Sequence, residues 1–548
     1  MYIKKVHIEN FKRFHKSFDI EFNQGLNIIV GDNESGKSTI LEAIYLALTG
    51  LYNCRNIKNE LTQFIFNKEA VKEYVDSIHA GHPLELPSIL IEIYLEGDDA
   101  ALFKGNVNSS GVDCCGLFLC IKFDEQYNAE YSELIKNGID SLPIEYYKVE
   151  WSSFAWNTSI TNRSVPMKAA LIDASNGKTH NSSDIYVSRI LKDNLATKEV
   201  VDITQAFRTL EESFVKNEKI DTINHKISDE SLISDRAVQL AVDLSARNAW
   251  ESILTTYLDS IPFTFIGKGE QNIIKTKLAL GHKRAKNASV ILLEEPESHL
   301  SYSKMNELLF AIATQCCEKQ IIITTHSSFV ANKLGLKNLI LLSNNKTSSL
   351  NALTEDTQDF FMKLSGYDTL RMLLCKRAIL VEGDSDELIV QRAYKDRHGK
   401  LPIADSIDVI SVKNLSFLRY LEIAKQLLID VSVVTDNDGN IEALERKYAD
   451  YKDCKNIKIC FDHEIDTEPK EINGNKYNCN TLEPKILKSN SRETLNNIFS
   501  TDYQDDNGLR TYMKNNKTEC ALKIFNATQN IIYPQYIIDA IEWAHTRQ

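Results

Sequence analysis

The stretch GLNIIVGDNESGKSTILEAIYLAL, residues 25–48, reads as a strand, a tight loop and a helix in that order. Gly31 through Ser38 fit G-x-x-x-x-G-K-[ST], a loop whose backbone N–H groups cradle phosphates. Gly31 and Gly36 let the backbone turn those groups inward, Lys37 reaches the β and γ phosphates, and Ser38 is placed to hold Mg²⁺. The helix that follows offers the positive end of its dipole. Asn33 and Thr39 complete the nucleotide-contacting set expected of this loop. A Gly-rich turn without a ligand is the alternative, but it leaves the apolar strand before the loop and the amphipathic helix after it unexplained.

A partner motif lies far downstream. SVILLEEPESHLS (289–301) is a buried-strand run that ends in Glu294 and Glu295. In a P-loop enzyme the first acid serves the Mg²⁺ shell and the second polarises the attacking water; here the first is Glu where Asp is commoner. KQIIITTHSSFV (319–330) is another strand, and His326 after it is positioned to sense the γ-phosphate. The plain alternative for a lone histidine is a structural role.

These residues resemble the ABC-type ATPases of the SMC, Rad50 and RecF group. The opening IKKVHIENFKRFHKSFDIEFNQGLNIIVG (3–31) and the run Ser298-His299-Leu300 carry the resemblance alongside the nucleotide motifs. It implies a signature loop shortly before residue 289. FIGKGEQNIIKTKLAL (265–280) takes that place, with Gly267-Lys268-Gly269-Glu270-Gln271 as a degenerate version. Gln63 is the candidate for the glutamine loop. About 255 residues separate the two nucleotide motifs, and no sustained heptad pattern fills them, which excludes a long coiled-coil arm. A β-rich stretch to about 155 is followed by the polar passage ASNGKTHNSSD (174–184) and by VVDITQAFRTLEESFVKNEKIDTINHKISD (200–229), which reads as helix. An inserted helical module serving self-association is the expectation, with a plain structural insertion as the alternative.

Composition sets the outer limits. A chain of 548 residues is too long for one core, and its 43% hydrophobic and 25% charged content is ordinary for globular proteins. No run of eighteen apolar residues is present, so a cytoplasmic protein with no membrane association is expected. Eleven cysteines include the adjacent pairs Cys114–Cys115 and Cys316–Cys317 but no zinc-type spacing, and reduced thiols are expected. The net charge of −13 argues against indiscriminate nucleic-acid binding, yet metal ions can bridge acids to phosphate, and basic stretches such as GHKRAKN (281–287) remain.

A second set of chemistry-bearing residues follows the polar run NKTSSLNALTEDTQD (345–359), which marks a boundary. RAILVEGDSDELIVQRAY (377–394) reads as strand, tight turn and helix; IDVISVKN (407–414) is a second strand and VSVVTDNDGN (431–440) a third. Such alternation predicts a parallel sheet whose strand ends converge on one edge. Glu382 ends one strand, and Asp436 and Asp438 follow another, so their carboxylates are expected to meet there. Oxygen-only ligands favour Mg²⁺ or Mn²⁺ over zinc. Taken singly, DNDGN is an ordinary turn and Glu382 an ordinary acid near a helix start.

The pattern resembles the Toprim domain of topoisomerases, primases and a group of nucleases. An ABC ATPase followed by Toprim resembles the OLD (overcoming lysogenisation defect) nucleases, most closely the Gabija A branch, over essentially the whole chain. The resemblance implies Glu382, Asp386, Asp436, Asp438 and Glu483 as metal ligands and Lys517 as a catalytic lysine beside Glu382, Asp436, Asp438 and, in the ATPase, Glu295. Some relatives carry an acid where this chain has Lys485. The implied chemistry is two-metal phosphodiester hydrolysis with ATP as the second cofactor. Implied partners are double-stranded DNA, further copies of the chain in a dimer or tetramer, and a helicase-like or retron partner encoded nearby.

The expected architecture is α/β: an ABC-type (SMC/RecF-like) ATPase in two parts (1–155 and 246–365), a helical insertion for dimerisation (156–245), and a Toprim α/β domain (370–548). The expected function is an ATP-regulated, metal-dependent DNA endonuclease of anti-phage defence, with ATP occupancy restraining the nuclease. A RecF/SMC-like DNA-repair ATPase without nuclease activity is the alternative. A topoisomerase or primase is disfavoured, because no strand-passage or zinc-binding module accompanies the acids.

Overall fold

A computed structural model of the chain describes residues 1–53, 55–97, 103–136, 138–155, 160, 164–165, 167–173, 195–230, 256–281, 289–315, 319–343, 345–350, 353–363, 369–413, 417–469, 471–472 and 474–547. The polar passage 174–184, the adjacent cysteines 316–317 and nearly all of the basic stretch 281–287 lie outside the described residues. Two compact units emerge, one holding Met1–Ile29 and Asn33–Thr325, the other Val30–Asp32, His326–Ser343 and Thr347–Gln548.

The first unit opens with strands β1 (Tyr2–Glu9), β2 (Ser17–Glu21) and β3 (Leu26–Gly31) and helix α1 (Lys37–Thr49). Strands β4 (Ile89–Glu96), β5 (Cys114–Phe123) and β6 (Tyr147–Ser153) follow. They join β1 and β2 in an antiparallel sheet in which β1 lies between β2 and β4, and β5 between β4 and β6. Along β1, Val6, His7 and Ile8 are buried in succession, while Lys5 and Glu9 on either side keep some exposure.

The second sheet of this unit has a different logic. Strands β7 (Ala169–Asp173), β8 (Val290–Glu294), β9 (Gln320–Thr324) and β3 run parallel, side by side in that order. Their continuous apolar runs suit strands covered on both faces. Val290, Leu292, Leu293, Ile322 and Ile323 are fully buried, each contributing about 1.5–3 kcal/mol. Parallel packing brings chain segments almost 300 residues apart to one edge, because each strand end delivers the loop that follows it. Helices α2 (Thr197–Val215) and α3 (Glu218–Glu230) lie in the insertion, and α4 (Lys268–Gly281) precedes β8.

The second unit carries strands β10 (Arg377–Val381), β11 (Ile407–Ser411), β12 (Asp430–Val434) and β13 (Ile457–Cys460). All pairings are parallel and the order is β11-β10-β12-β13. Helix α5 (Asp384–His398) leaves β10, and α6 (Leu482–Ser489), α7 (Lys517–Asn526) and α8 (Gln535–Thr546) complete the C-terminal part. One apolar core joins them: Ile379, Val390, Tyr394, Ile486, Leu509, Ile537 and Ile541 are buried together. No helix among the described residues is long and apolar enough to cross a membrane.

Candidate functional site

At the phosphate loop, β3 ends at Gly31 and α1 begins at Lys37, with Gly36 as its N-cap at φ +106°. That backbone conformation suits glycine, and a Cβ at Gly36 would stand 2.8 Å from the ring of Phe14. Phe14 is itself stacked on Phe18 with ring centroids 4.0 Å apart, so the loop rests against a rigid aromatic wall. Lys37 is buried, as is Thr39. Ser35 Oγ is buried without a hydrogen bond, a donor that a phosphate oxygen would satisfy.

β8 delivers Glu294 at its end, opposite Thr324 of β9. Glu295 comes next at φ +40°, a strained conformation for a glutamate, held by donation of its N–H to the Thr324 carbonyl at 3.0 Å. Ser298 Oγ donates to Glu295 Oε2 at 3.3 Å. The Ser298 carbonyl in turn accepts from the side-chain amide of Asn272 at 2.6 Å. Beside this bond a Cβ on Gly269 would fall 2.4 Å from the His299 carbonyl, so only glycine permits the approach. The degenerate signature segment thus packs against the turn that carries Glu295, and Gln271 closes the segment by donating to the Phe263 and Ile266 carbonyls at 2.9 and 2.8 Å. His326 lies two residues beyond β9. Gln63 accepts from the Leu142 N–H at 3.4 Å. Ser298 belongs to the run that carries the family resemblance, whereas Asn272 has no local signal in the sequence, since an amide in a helix is ordinary.

The second cluster lies at the C-terminal edge of the parallel sheet in the other unit. Val381 of β10 and Val434 of β12 are register partners, so Glu382 and Thr435 emerge side by side. Thr435 Oγ1 and the Asp436 N–H donate to Glu382 Oε1 at 2.7 and 3.0 Å. Asp386, in the first turn of α5, accepts from the Gly383 N–H at 3.2 Å. Asp438, at φ +48°, accepts from Asn478 at 2.8 Å. Glu483 opens α6 and pairs with Lys517 at 3.2 Å, with the carboxylate nearly buried and the ammonium half exposed.

Electrostatics ties these groups together. Burial first, then the charges of Glu382, Asp386, Glu483 and Asp438, hold the Asp436 carboxyl well above the ordinary range. Burial with Glu382 and Glu483 pushes Asp386 up to about 7. Burial lowers the Lys517 ammonium, but Glu483 outweighs it and, with Asp436 and Asp386, leaves it raised. Tyr536 on α8 is pushed up by burial and by Asp436, Asp386, Asp462 and Glu382. The donor set is all oxygen, which suits a hard divalent cation, and such a charge would relieve the mutual repulsion. Among the described residues, however, no three His, Cys, Asp or Glu side chains are drawn together as a metal cage. Glu382 is instead engaged by Thr435 and the Asp436 backbone. Lys485 stands apart, buried between Asp462 and Asp466.

A strand, phosphate loop and helix, joined in a parallel sheet to a strand followed by paired glutamates, mark a P-loop ATPase domain with an α/β fold. The family model described as "AAA domain" (AAA_23) matches residues 5–492, and the chain belongs to that family. The DNA replication and repair protein RecF of Clostridium kluyveri is 33% identical over 139 residues, 25% of this chain and 35% of that protein. The DNA double-strand break repair Rad50 ATPase of Methanopyrus kandleri is 56% identical over 46 residues, 8% of this chain and 5% of its own length. The chain therefore spans less than two thirds of these curated relatives. An Smc head bound to the C-winged helix domain of ScpA aligns with 64% of this chain and 99% of that one, at 16% identity and a TM-score of 0.34. The C-terminal region of the Xanthomonas campestris OLD protein aligns with 32% of this chain and 95% of that one, at 20% identity and a TM-score of 0.24.

Proposed function

We propose that this protein is an ATP-regulated, divalent-metal-dependent DNA endonuclease of bacterial anti-phage defence, an OLD-family protein of the Gabija A branch with a Toprim nuclease domain from about 370 onward. The observation that carries the reading is the meeting of Glu382 and Asp436 at one sheet edge, where the Asp436 N–H donates to Glu382 at 3.0 Å, together with the Glu483–Lys517 pair at 3.2 Å in the same C-terminal unit. Crowding the partly buried Glu382, Asp386 and Asp436 and the buried Glu483 together is costly unless a cation is the intended partner. Glu382, Asp386, Asp436, Asp438 and Glu483 would hold Mg²⁺ or Mn²⁺. A bound divalent ion supplies water activation and charge neutralisation for phosphodiester hydrolysis. Lys517 adds positive charge where a scissile phosphate would gather negative charge.

The nucleotide site bears on the same reading. ATP can bias a nuclease only through different affinities for two states of the protein. A phosphate loop with an altered signature segment suits a slowly cleared nucleotide, and abundant ATP is proposed to restrain cleavage until depletion releases it. Exposed Val201, Leu210 and Phe214 on α2 and Ile223 on α3 support self-association through the insertion, as a dimer or tetramer. A helicase-like or retron partner belongs to the same proposal.

A second reading, a DNA-repair ATPase without nuclease activity, is favoured by the RecF and Rad50 relatives and by the lack of a ready-made metal cage among the described residues. Incubating the full chain with supercoiled or linear duplex DNA and Mg²⁺, with and without ATP, separates the two. Metal-dependent cleavage that Glu382→Ala removes supports the nuclease, and intact DNA under every condition supports the repair ATPase.

A further inference from the structure

Between the two acids of the 436–438 turn stands Asn437, which is buried. Its side-chain amide donates to the Asp462 and Glu464 carbonyls at 2.6 and 3.0 Å, while its Oδ1 accepts from the Gly439 N–H at 3.0 Å. The turn is therefore fastened to the loop after β13. That loop is gathered round one cation: Lys485 is only 3% exposed, and its ammonium lies 2.6 Å from Asp462, 2.8 Å from Asp466 and 3.0 Å from the Glu464 carbonyl. All three of its donors are used, so the ammonium has one orientation.

The far side of the loop returns to the same turn. The Asp466 N–H donates to Asn480 Oδ1 at 2.7 Å, and Asn480 Nδ2 donates back to the Asp466 carbonyl at 2.9 Å. The Asn480 N–H donates to Asn478 Oδ1 at 2.9 Å, and Asn478 donates to the Asp438 carboxylate at 2.8 Å. The bonds form a ring from Asn437 through the loop and its buried cation to Asp438. Apolar residues in place of the whole Lys485, Asp462 and Asp466 group would fill the space with less desolvation, so stability alone is a poor reason for a buried ammonium here.

We propose that Lys485 is a positioning residue for the Asp436–Asp438 turn: it is the internal cation that assembles the Asp462–Asp466 loop, and that loop, through Asn437 on one side and Asn480 with Asn478 on the other, sets the direction of the Asp438 carboxylate. The proposal rests on the reading of this turn as a divalent-metal site.

The test is Mn²⁺ binding to the full chain by calorimetry, with thermal unfolding measured beside it, for wild type, Glu382→Ala, Lys485→Met, Asn437→Ala and the Lys485→Met/Asn437→Ala double variant. Lys485→Met should weaken Mn²⁺ affinity by about 10- to 100-fold, the usual range for residues that orient ligands. The double variant should bind no more weakly than Lys485→Met, since both changes cut one chain of bonds. Affinity unchanged in Lys485→Met while its unfolding temperature drops would reduce Lys485 to a structural role and overturn the proposal. Fully additive losses would also overturn it, because Lys485 would then act by a separate route. Should Lys485→Met fail to fold, Asn437→Ala and Asn478→Ala carry the test: a comparable loss supports the ring, and unchanged affinity overturns it. Equal Mn²⁺ binding by wild type and Glu382→Ala would instead remove the metal reading itself, whatever Lys485 does.

Discussion

The backbone N–H of Asp436 donates to the Glu382 carboxylate across 3.0 Å, joining residues 54 positions apart. The bond exists because β10 and β12 are parallel neighbours in register, so both strands end at the same height. A carboxylate placed this way has one oxygen committed to Thr435 and Asp436 and the other directed by that commitment.

Removing that carboxylate is the most direct test of the nuclease. Glu382→Ala and Asp436→Ala should each reduce Mg²⁺-dependent cleavage to background, with ATP binding unchanged in a nucleotide titration. Cleavage at the wild-type rate in either variant would mean that the acids serve another purpose.

Lys517 answers a narrower question. Its ammonium pairs with Glu483 at 3.2 Å but is half exposed, which leaves it able to face a substrate. Lys517→Ala should slow cleavage by about 10²–10³-fold, as expected for one charge-stabilising donor, while Mn²⁺ binding is retained. Undiminished cutting would leave it a surface lysine beside a buried acid.

The ATPase half yields a separate prediction through Asn272 and Ser298. Losing the 2.6 Å bond between them removes about 1 kcal/mol from the ordering of the Glu295 turn. Asn272→Ala should slow single-turnover ATP hydrolysis several-fold with ATP affinity unaltered. Gly269→Ala, which places a methyl 2.4 Å from the His299 carbonyl, should have the larger effect. Equal rates in all three proteins would show that the signature segment does not govern Glu295.

Regulation is tested at Lys37. If ATP restrains the nuclease, raising ATP at constant free Mg²⁺ should suppress cleavage by wild type and leave Lys37→Ala indifferent. Holding free Mg²⁺ constant matters because ATP chelates the ion. Identical responses of the two proteins would end the gating proposal.

Self-association is tested on the exposed face of α2. Leu210→Glu combined with Phe214→Glu replaces two side chains that are 64% and 54% exposed. A shift from oligomer to monomer in light scattering at micromolar concentration is the expected result. An unchanged mass would move the contact elsewhere.

Much of this protein was legible in the chain because its signals are local. The phosphate loop needs a glycine at φ +106° just before Lys37, and the sequence shows glycine at that position between an apolar strand and a helix. The apolar runs ending in Glu294 and Val381 read as buried parallel strands, and a parallel sheet necessarily gathers strand ends on one edge. What the sequence could not supply are the contacts made across that gathering. Nothing in DNDGN distinguishes an ordinary turn from one whose asparagine is buried against a loop 25 residues later. Nothing in LEPKIL says that Lys485 is enclosed by two aspartates, or in KGEQN that Asn272 reaches a carbonyl 26 residues away. Strand and turn formation follow from the neighbours along the chain. The orientation of an amide or an ammonium depends on which distant polar groups are buried with it, and that was decided only when the sheets brought those segments together.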